Sequence, residues 1–492
     1  MKDLKTVFSE RKNAYTNRSS AIFPLRLRKN TDLIISFLNY FRFKNNITDI
    51  ICNIRIYDAN GSLEYLGNYR LDESHYALSA QILLGQDSFD GMLEVEFISL
   101  DNLRFSFPAV LGFYKAQGNY SAVHSAGRIK GSSEPYTPFI TEESNFSCKY
   151  YCENGKVTIT PFIHVFNGPE KRERHYTLTL RKMTGEPIAV KSLCYQFSPF
   201  ASHLIEVAKE FDDAQMEKGF FCSIKADNDQ IFPRFVCGNL HYDIGFMEST
   251  HSYPVIEKPD YCESSKELPL ASFLPLLTDK ALELDAFVFP TNFPADLTGK
   301  VLVQAYGAPR LADTGTTLRL QTGLGGGGEL HCPEDVMFML LAFDSHAAKV
   351  PTRINTSYRY SVKGSKGHFS TDIATGTTPN VYPQKFTHWG SGILSTDFHT
   401  ILFIRNNSHN PTETHDATFT LDVYVGDQRL QQTFTAAAES ALCIRLKDFV
   451  PTSAYGSQPV ILHWMLKSNH PVGETFWVSY TDNGAICADH GF

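Results

Sequence analysis

The chain has no apolar run near the ~18 residues that a membrane-crossing helix requires, which excludes a helical anchor. Residues 1–11 lack the apolar core of a secretory leader, so the expected location is the cytoplasm, with a dedicated exporter as the other route. Segments with a 3.6-residue apolar period are nearly missing, which argues against the all-α and α/β classes. Missing too are the Gly-x-Ser-x-Gly, His-Glu-x-x-His and Cys–His patterns of common hydrolases. The glycine run at 323–328 has no Lys-Ser/Thr tail and no helical segment after it, so it is read as a hairpin loop and not as a phosphate cradle. A net charge of -8 gives no basic excess for a nucleic-acid partner. The 10 cysteines follow no common period, so a disulfide repeated along the chain is excluded and most are expected to be reduced and buried. Cys148 and Cys152 form the one close pair, without the second Cys/His pair that a zinc site needs.

Phenylalanine and tyrosine are abundant, 37 and 23, and their rings suit the half-buried surface of a sheet. One signature recurs about every 120 residues. Phe107-Pro108 leads through Gly112, Tyr114, Gly118 and Tyr120 to His124-Ser125. Phe232-Pro233 leads through Gly238, Tyr242 and Gly245 to His251-Ser252. Val350-Pro351 leads through Tyr358, Tyr360 and Gly364 to His368-Phe369, and His470-Pro471 through Gly473, Trp477, Tyr480 and Gly484 to Asp489-His490. Short apolar runs broken by Gly, Asn and Asp turns precede each copy, as at 50–57 before Asn60-Gly61 and at 418–425 before Gly426-Asp427.

The expected fold is therefore all-β: a tandem array of four related antiparallel β-sandwich units, immunoglobulin-like or jelly-roll-like. Residues 1–30 are read as a basic arm or a strand laid on the first unit. The units are placed at 31–130, 147–254, 285–375 and 393–492, with linkers at 131–146, 255–284 and 376–392. One short helix is expected at 204–211, with a counterpart at 442–449.

His124, His251, His368 and His490 are the most specific feature. Four imidazoles on four separate units do not converge on one ion, so their expected role is structural, bonding a backbone carbonyl at the end of the last strand. Glu94 and Glu96 alternate outward on one strand and are read as a wetted face. The last unit collects all three tryptophans, Trp389, Trp464 and Trp477. Trp389 lies in a linker and is the expected exposed ring for stacking on a sugar, with His409 and Asp416 as polar partners. His409, Glu413 and His415 are the candidates for a divalent metal. No cofactor is otherwise expected. The functional expectation is a non-catalytic protein that binds or scaffolds a polysaccharide or a surface assembly. The alternative is a carbohydrate-active or metal-dependent enzyme with its site in the C-terminal unit.

Overall fold

The computed structural model describes residues 18–492 except 102, 104–107, 126, 128, 130–142, 227–233, 255–260, 264–272, 290–296, 307, 309–311, 321–327, 335, 344–348, 352–353, 366–370, 378–384, 407–414, 439 and 473–474. Strands dominate, and every strand pair among the described residues is antiparallel.

Repeat 1 consists of β1 (Arg18–Leu27), β2 (Thr31–Leu38), β3 (Ile51–Asp58), β4 (Leu63–Arg70), β5 (His75–Ser79), β6 (Phe89–Ile98), β7 (Leu111–Ala116) and β8 (Asn119–His124). Repeat 2 has β9 (Glu143–Ser147), β10 (Lys156–Phe166), β11 (Arg172–Arg181), β12 (Pro187–Phe197), β13 (Ser202–Glu206), β14 (Phe221–Ala226), β15 (Val236–His241) and β16 (Phe246–His251). Repeat 3 has β17 (Phe273–Leu277), β18 (Leu282–Val288), β19 (Leu297–Ala305), β20 (Ala312–Leu320), β21 (Gly328–His331), β22 (Val336–Phe343), β23 (Ile354–Val362) and β24 (Thr371–Thr377). Repeat 4 has β25 (Lys385–Leu394), β26 (His399–Asn406), β27 (Ala417–Val425), β28 (Gln428–Ala436), β29 (Ser440–Arg445), β30 (Val460–Val472), β31 (Thr475–Tyr480) and β32 (Ile486–His490).

The strand order is the same in all four. One sheet runs first-sixth-third-fourth: β1-β6-β3-β4, β9-β14-β11-β12, β17-β22-β19-β20 and β25-β30-β27-β28. The other runs fifth-second-seventh-eighth: β5-β2-β7-β8, β13-β10-β15-β16, β21-β18-β23-β24 and β29-β26-β31-β32. Short extra strands, such as Tyr151–Glu153 on β10, decorate this plan without changing it. The recurring signature is the seventh-eighth hairpin. In repeat 1 its turn is Gln117-Gly118, both at positive φ (49° and 84°), which matches the twist of a two-residue hairpin.

The first strand of each repeat falls where composition suggests an arm or a linker. β1 lies within the basic N-terminal stretch, and β9, β17 and β25 each overlap an expected linker. β1 is the strand laid on the first unit, one of the two readings of that stretch, so only the linkers are corrected. Pro275 in β17 explains one of them, and Pro24 in β1 is tolerated for the same reason. A strand at the edge of its sheet tolerates proline, because the missing N–H takes nothing from a central ladder. The segments read as helices are also corrected. Ser202–Glu206 and Ser440–Arg445 are strands, each followed by a single 3-10 turn, Val207–Lys209 and Leu446–Asp448. The glycine run at 323–327 lies outside the described residues, between β20 and β21. The third-fourth hairpin of repeat 3 instead joins Ala305 to Ala312.

The chain forms two compact units: residues 1–182 with 187–254, and residues 255–492 with 183–186. Each therefore holds a pair of sandwiches. In the first, the eighth strands face each other: Ser121 Oγ donates to Met247 O at 2.6 Å and accepts from Ser249 N at 3.0 Å. Ile22, Tyr57, Met92 and Ile129 of repeat 1 pack with Phe166 of repeat 2. In the second, Leu284, Tyr358 and Tyr360 share one core with Phe403, Phe476 and Val478.

A buried asparagine ends or follows the second strand in three repeats. The Asn39 amide donates to Leu71 O (3.2 Å) and Glu73 O (3.1 Å). Asn167 donates to Glu170 O (2.6 Å) and Ser198 O (2.9 Å), and Asn406 to His415 O, Ala436 O and Ala437 O at 2.9–3.1 Å. Each ties the end of the second strand to the connection between the fourth and fifth strands or the residue that opens it. Asn167 and Asn406 hold the connection between the second and third strands as well. Replacing any of the three by alanine strands two or more carbonyls and should cost about 2 kcal/mol. Urea unfolding of Asn39→Ala, Asn167→Ala and Asn406→Ala checks this, and losses under about 0.5 kcal/mol would remove the clamp from the account.

Candidate binding surface

His124, His251 and His490 close their eighth strands. His124 and His251 are 2% and 4% exposed, and their rings meet edge to face at 4.4 Å between centroids. His251 Nδ1 lies 3.2 Å from Ser252 O, and His490 Nδ1 lies 2.9 Å from Gly491 O, the same local bond in two repeats. The adjoining serines stitch further: Ser125 Oγ accepts from Ile22 N (3.0 Å) and donates to Ile22 O (2.5 Å), while Ser252 Oγ accepts from Phe235 N (3.0 Å). His368 lies outside the described residues. It precedes β24, whose last residues, 374–377, stand where the other repeats carry the histidine.

Trp389 is not on a linker. It is the fifth residue of β25, 4% exposed, with its ring 6.3 Å from Phe492. Trp464 and Trp477 are 1% and 0% exposed, and Trp464 Nε1 donates to Ser391 O over Gly390. No tryptophan therefore offers a face for a sugar ring. Asp416 is exposed and caps a turn, its Oδ1 accepting from Ala438 N at 3.0 Å. His409 and Glu413 lie outside the described residues. His415 is exposed and stacks on His470, ring centroids 4.9 Å apart.

Glu94 and Glu96 do not form a wetted face. They are 3% and 2% exposed, beneath Arg55 and Arg18. Alternation tells which side of β6 they occupy, but that side is covered by the Arg55 and Arg18 side chains. Four other buried carboxylates, Glu248, Glu206, Asp279 and Asp422, are also matched. Glu248 lies between His241 Nε2 (3.0 Å) and the Lys149 ammonium. Burial alone would raise its pKa, but the Lys149 charge and the His241 bond hold it below the ordinary carboxylate range. Glu206 meets Arg26, Lys209 and the Tyr242 hydroxyl. Asp279 takes Arg445 at 2.6 Å, and Asp422 takes Arg429 and Gln431. These four are partnered ions inside sandwiches and sandwich pairs, an arrangement that fixes geometry.

Among the described residues, one exposed edge recurs in all four repeats. The fourth strands β4, β12, β20 and β28 each end their sheet, bonded only to the third strand. β4 is exposed or half-exposed along its whole length, with Leu63 and Leu66 at 50% and 53%; β12 carries Val190 at 60%. Residues 312–317 of β20 and most of β28 are exposed as well. Such an edge presents unpaired backbone N–H and C=O groups ready to take another strand. The four edges carry few charges: Glu64 and Arg70, Lys191, Asp313 and Arg319, and Arg429.

Comparison with protein-family models and with curated proteins finds no match to this chain.

Proposed function

We propose that this is a non-catalytic, multi-domain binding or scaffolding protein whose partners are proteins that pair with its fourth-strand edges. The observation that carries the reading is the exposure of that edge in each of four sandwiches of one strand order. Strand addition draws its affinity from main-chain hydrogen bonds, and several edges on one chain add avidity to sites that are weak singly. The burial of all three tryptophans removes the feature that favoured a polysaccharide, so a protein lattice is the preferred partner over a glycan.

Light scattering over a concentration range tests this. The expected result is reversible assembly that weakens when Leu66→Lys and Val190→Lys place like charges on two edges. A strict monomer at every concentration, together with no binding to any protein or polymer surface presented, would count against the proposal.

A further inference from the structure

The β11–β12 hairpin carries a cluster that the functional reading does not use. Alternation along β11 puts Glu173 and His175 on one face, two residues apart. In the register of the hairpin His175 stands opposite Cys194, and Glu173 opposite Gln196. The other face of the same strands is locked into the core through Tyr176, Leu178, Leu180 and Leu193, so the cluster is displayed on a rigid support. One donor atom from each of Glu173, His175 and Cys194 lies within 4.8 Å of the other two. Ligands around a tetrahedral ion with bonds of ~2.0–2.3 Å sit ~3.5 Å apart, so small side-chain rotations close the set.

We infer that Glu173, His175 and Cys194 form a surface site for Zn2+ or a similar thiophilic divalent ion, with a fourth position open to solvent or to a partner's donor. The donor types decide the metal class. A thiolate and an imidazole select a borderline-soft ion, whereas Ca2+ and Mg2+ take oxygen ligands. Without the ion, the Glu173 carboxylate holds His175 Nε2 at 2.9 Å and accepts from the Gln196 amide through its other oxygen. Gln196 thus stands ready as an outer partner that keeps the carboxylate aimed. Cys194 is also the one exposed thiol among the described cysteines; Cys52, Cys222, Cys237, Cys332 and Cys487 are buried, and Cys148, Cys152 and Cys443 half-buried. An exposed thiol is a liability on a protein surface, and this one faces an imidazole and a carboxylate across one hairpin. The ion would sit on an edge strand, but the site stands whether or not strands dock there.

The full chain, stripped of metal and kept reduced, is titrated with Co2+ and then with Zn2+ in competition. Tetrahedral Co2+ bound to a thiolate gives a sulfur-to-metal charge-transfer band together with visible ligand-field bands. One equivalent giving both is expected, displaced by Zn2+. Cys194→Ser should abolish the charge-transfer band. His175→Ala should weaken Co2+ binding by at least the ~10- to 100-fold that losing an outer partner costs, and Gln196→Ala by about that amount. Cys148→Ser should leave the spectrum unchanged. All four side chains are on or near the surface, so circular dichroism should show the fold kept. A charge-transfer band that survives Cys194→Ser, or is lost in Cys148→Ser, overturns the assignment, as does the lack of any band in the unsubstituted chain.

Discussion

Gly238→Ala should destabilise the first compact unit by about 4 kcal/mol or more, the range reserved for substitutions with no means of relaxing. Gly238 sits in β15 with φ at 150°, paired with Phe162 of β10 on one side and Ser249 of β16 on the other. A Cβ there would lie 1.9 Å from the carbonyl oxygen of Glu248 and 2.9 Å from its carbonyl carbon. Those atoms are backbone in the neighbouring ladder, so no side chain can swing away. Separating the strands would also pull Glu248 from His241 and Lys149, leaving a buried charge short of partners. Gly118→Ala is the control. Gly118 has φ at 84° but open space around its missing Cβ, so only the backbone penalty applies, about 1 kcal/mol. Urea unfolding followed by far-UV circular dichroism separates the two. Similar losses in both variants would mean that β15 and β16 do not meet at Gly238 as described.

How far the sequence could be read differs from element to element. The period was visible because the seventh-eighth hairpin has to turn tightly and bury large rings, which confines glycine, tyrosine and tryptophan to fixed places. Asn60-Gly61, Gly185 and Gly426 marked third-fourth hairpins correctly for a similar reason, and Gly61 does adopt φ of 96°. The glycine run of repeat 3 misled because glycine richness alone does not tell the third-fourth connection from the fourth-fifth, and the run falls between β20 and β21 in sequence. The first strands of the later repeats resemble linkers in composition: β9 is the short polar run Glu-Ser-Asn-Phe-Ser, although β14 pairs with it on one side and Tyr253–Pro254 on the other. Alternation cannot report what covers a sheet from outside. That is why Glu94 and Glu96 read as solvent-facing and are found buried, whereas Trp389 reads as exposed only because β25 overlaps an expected linker. The asparagine clamps left a faint mark, Leu38-Asn39, Phe166-Asn167 and Arg405-Asn406, each at the end of a mostly apolar second strand. Its meaning depends on carbonyls some thirty residues away, which no local pattern displays. The hairpin cluster of Glu173, His175 and Cys194 was illegible for the same reason, because its members meet only once the β11–β12 register is set.

The covered pair on β6 carries the second large effect, and it depends on pH. The Glu94 pKa is pushed up to about 7, first by burial and then by the neighbouring Glu96 charge, against the pull of Arg55 and Arg18. Burial pushes Glu96 in the same direction, but Arg18 and Arg55 outweigh it and bring the carboxyl below its ordinary value. The two therefore act with opposite sign. Glu94 binds its proton more tightly folded than unfolded, where a glutamate titrates near ~4.3. Its contribution is complete below that value and is lost as the pH rises through about 7. Glu96 stabilises above its unfolded pKa and loses that contribution only as the medium turns more acidic, so it does not titrate between pH ~5 and ~8. Glu94→Gln removes the first effect while keeping shape and a neutral polar group. At pH ~5 the variant and the parent should agree within about 1 kcal/mol, and at pH ~8 the variant should be the more stable by about 3 kcal/mol. Taking the difference at each pH cancels every other group that titrates in this window. A gap between the two proteins that stays constant from pH ~5 to ~8 would show that Glu94 is ionised throughout, and that the β6 carboxylates are as well solvated as alternation alone suggests.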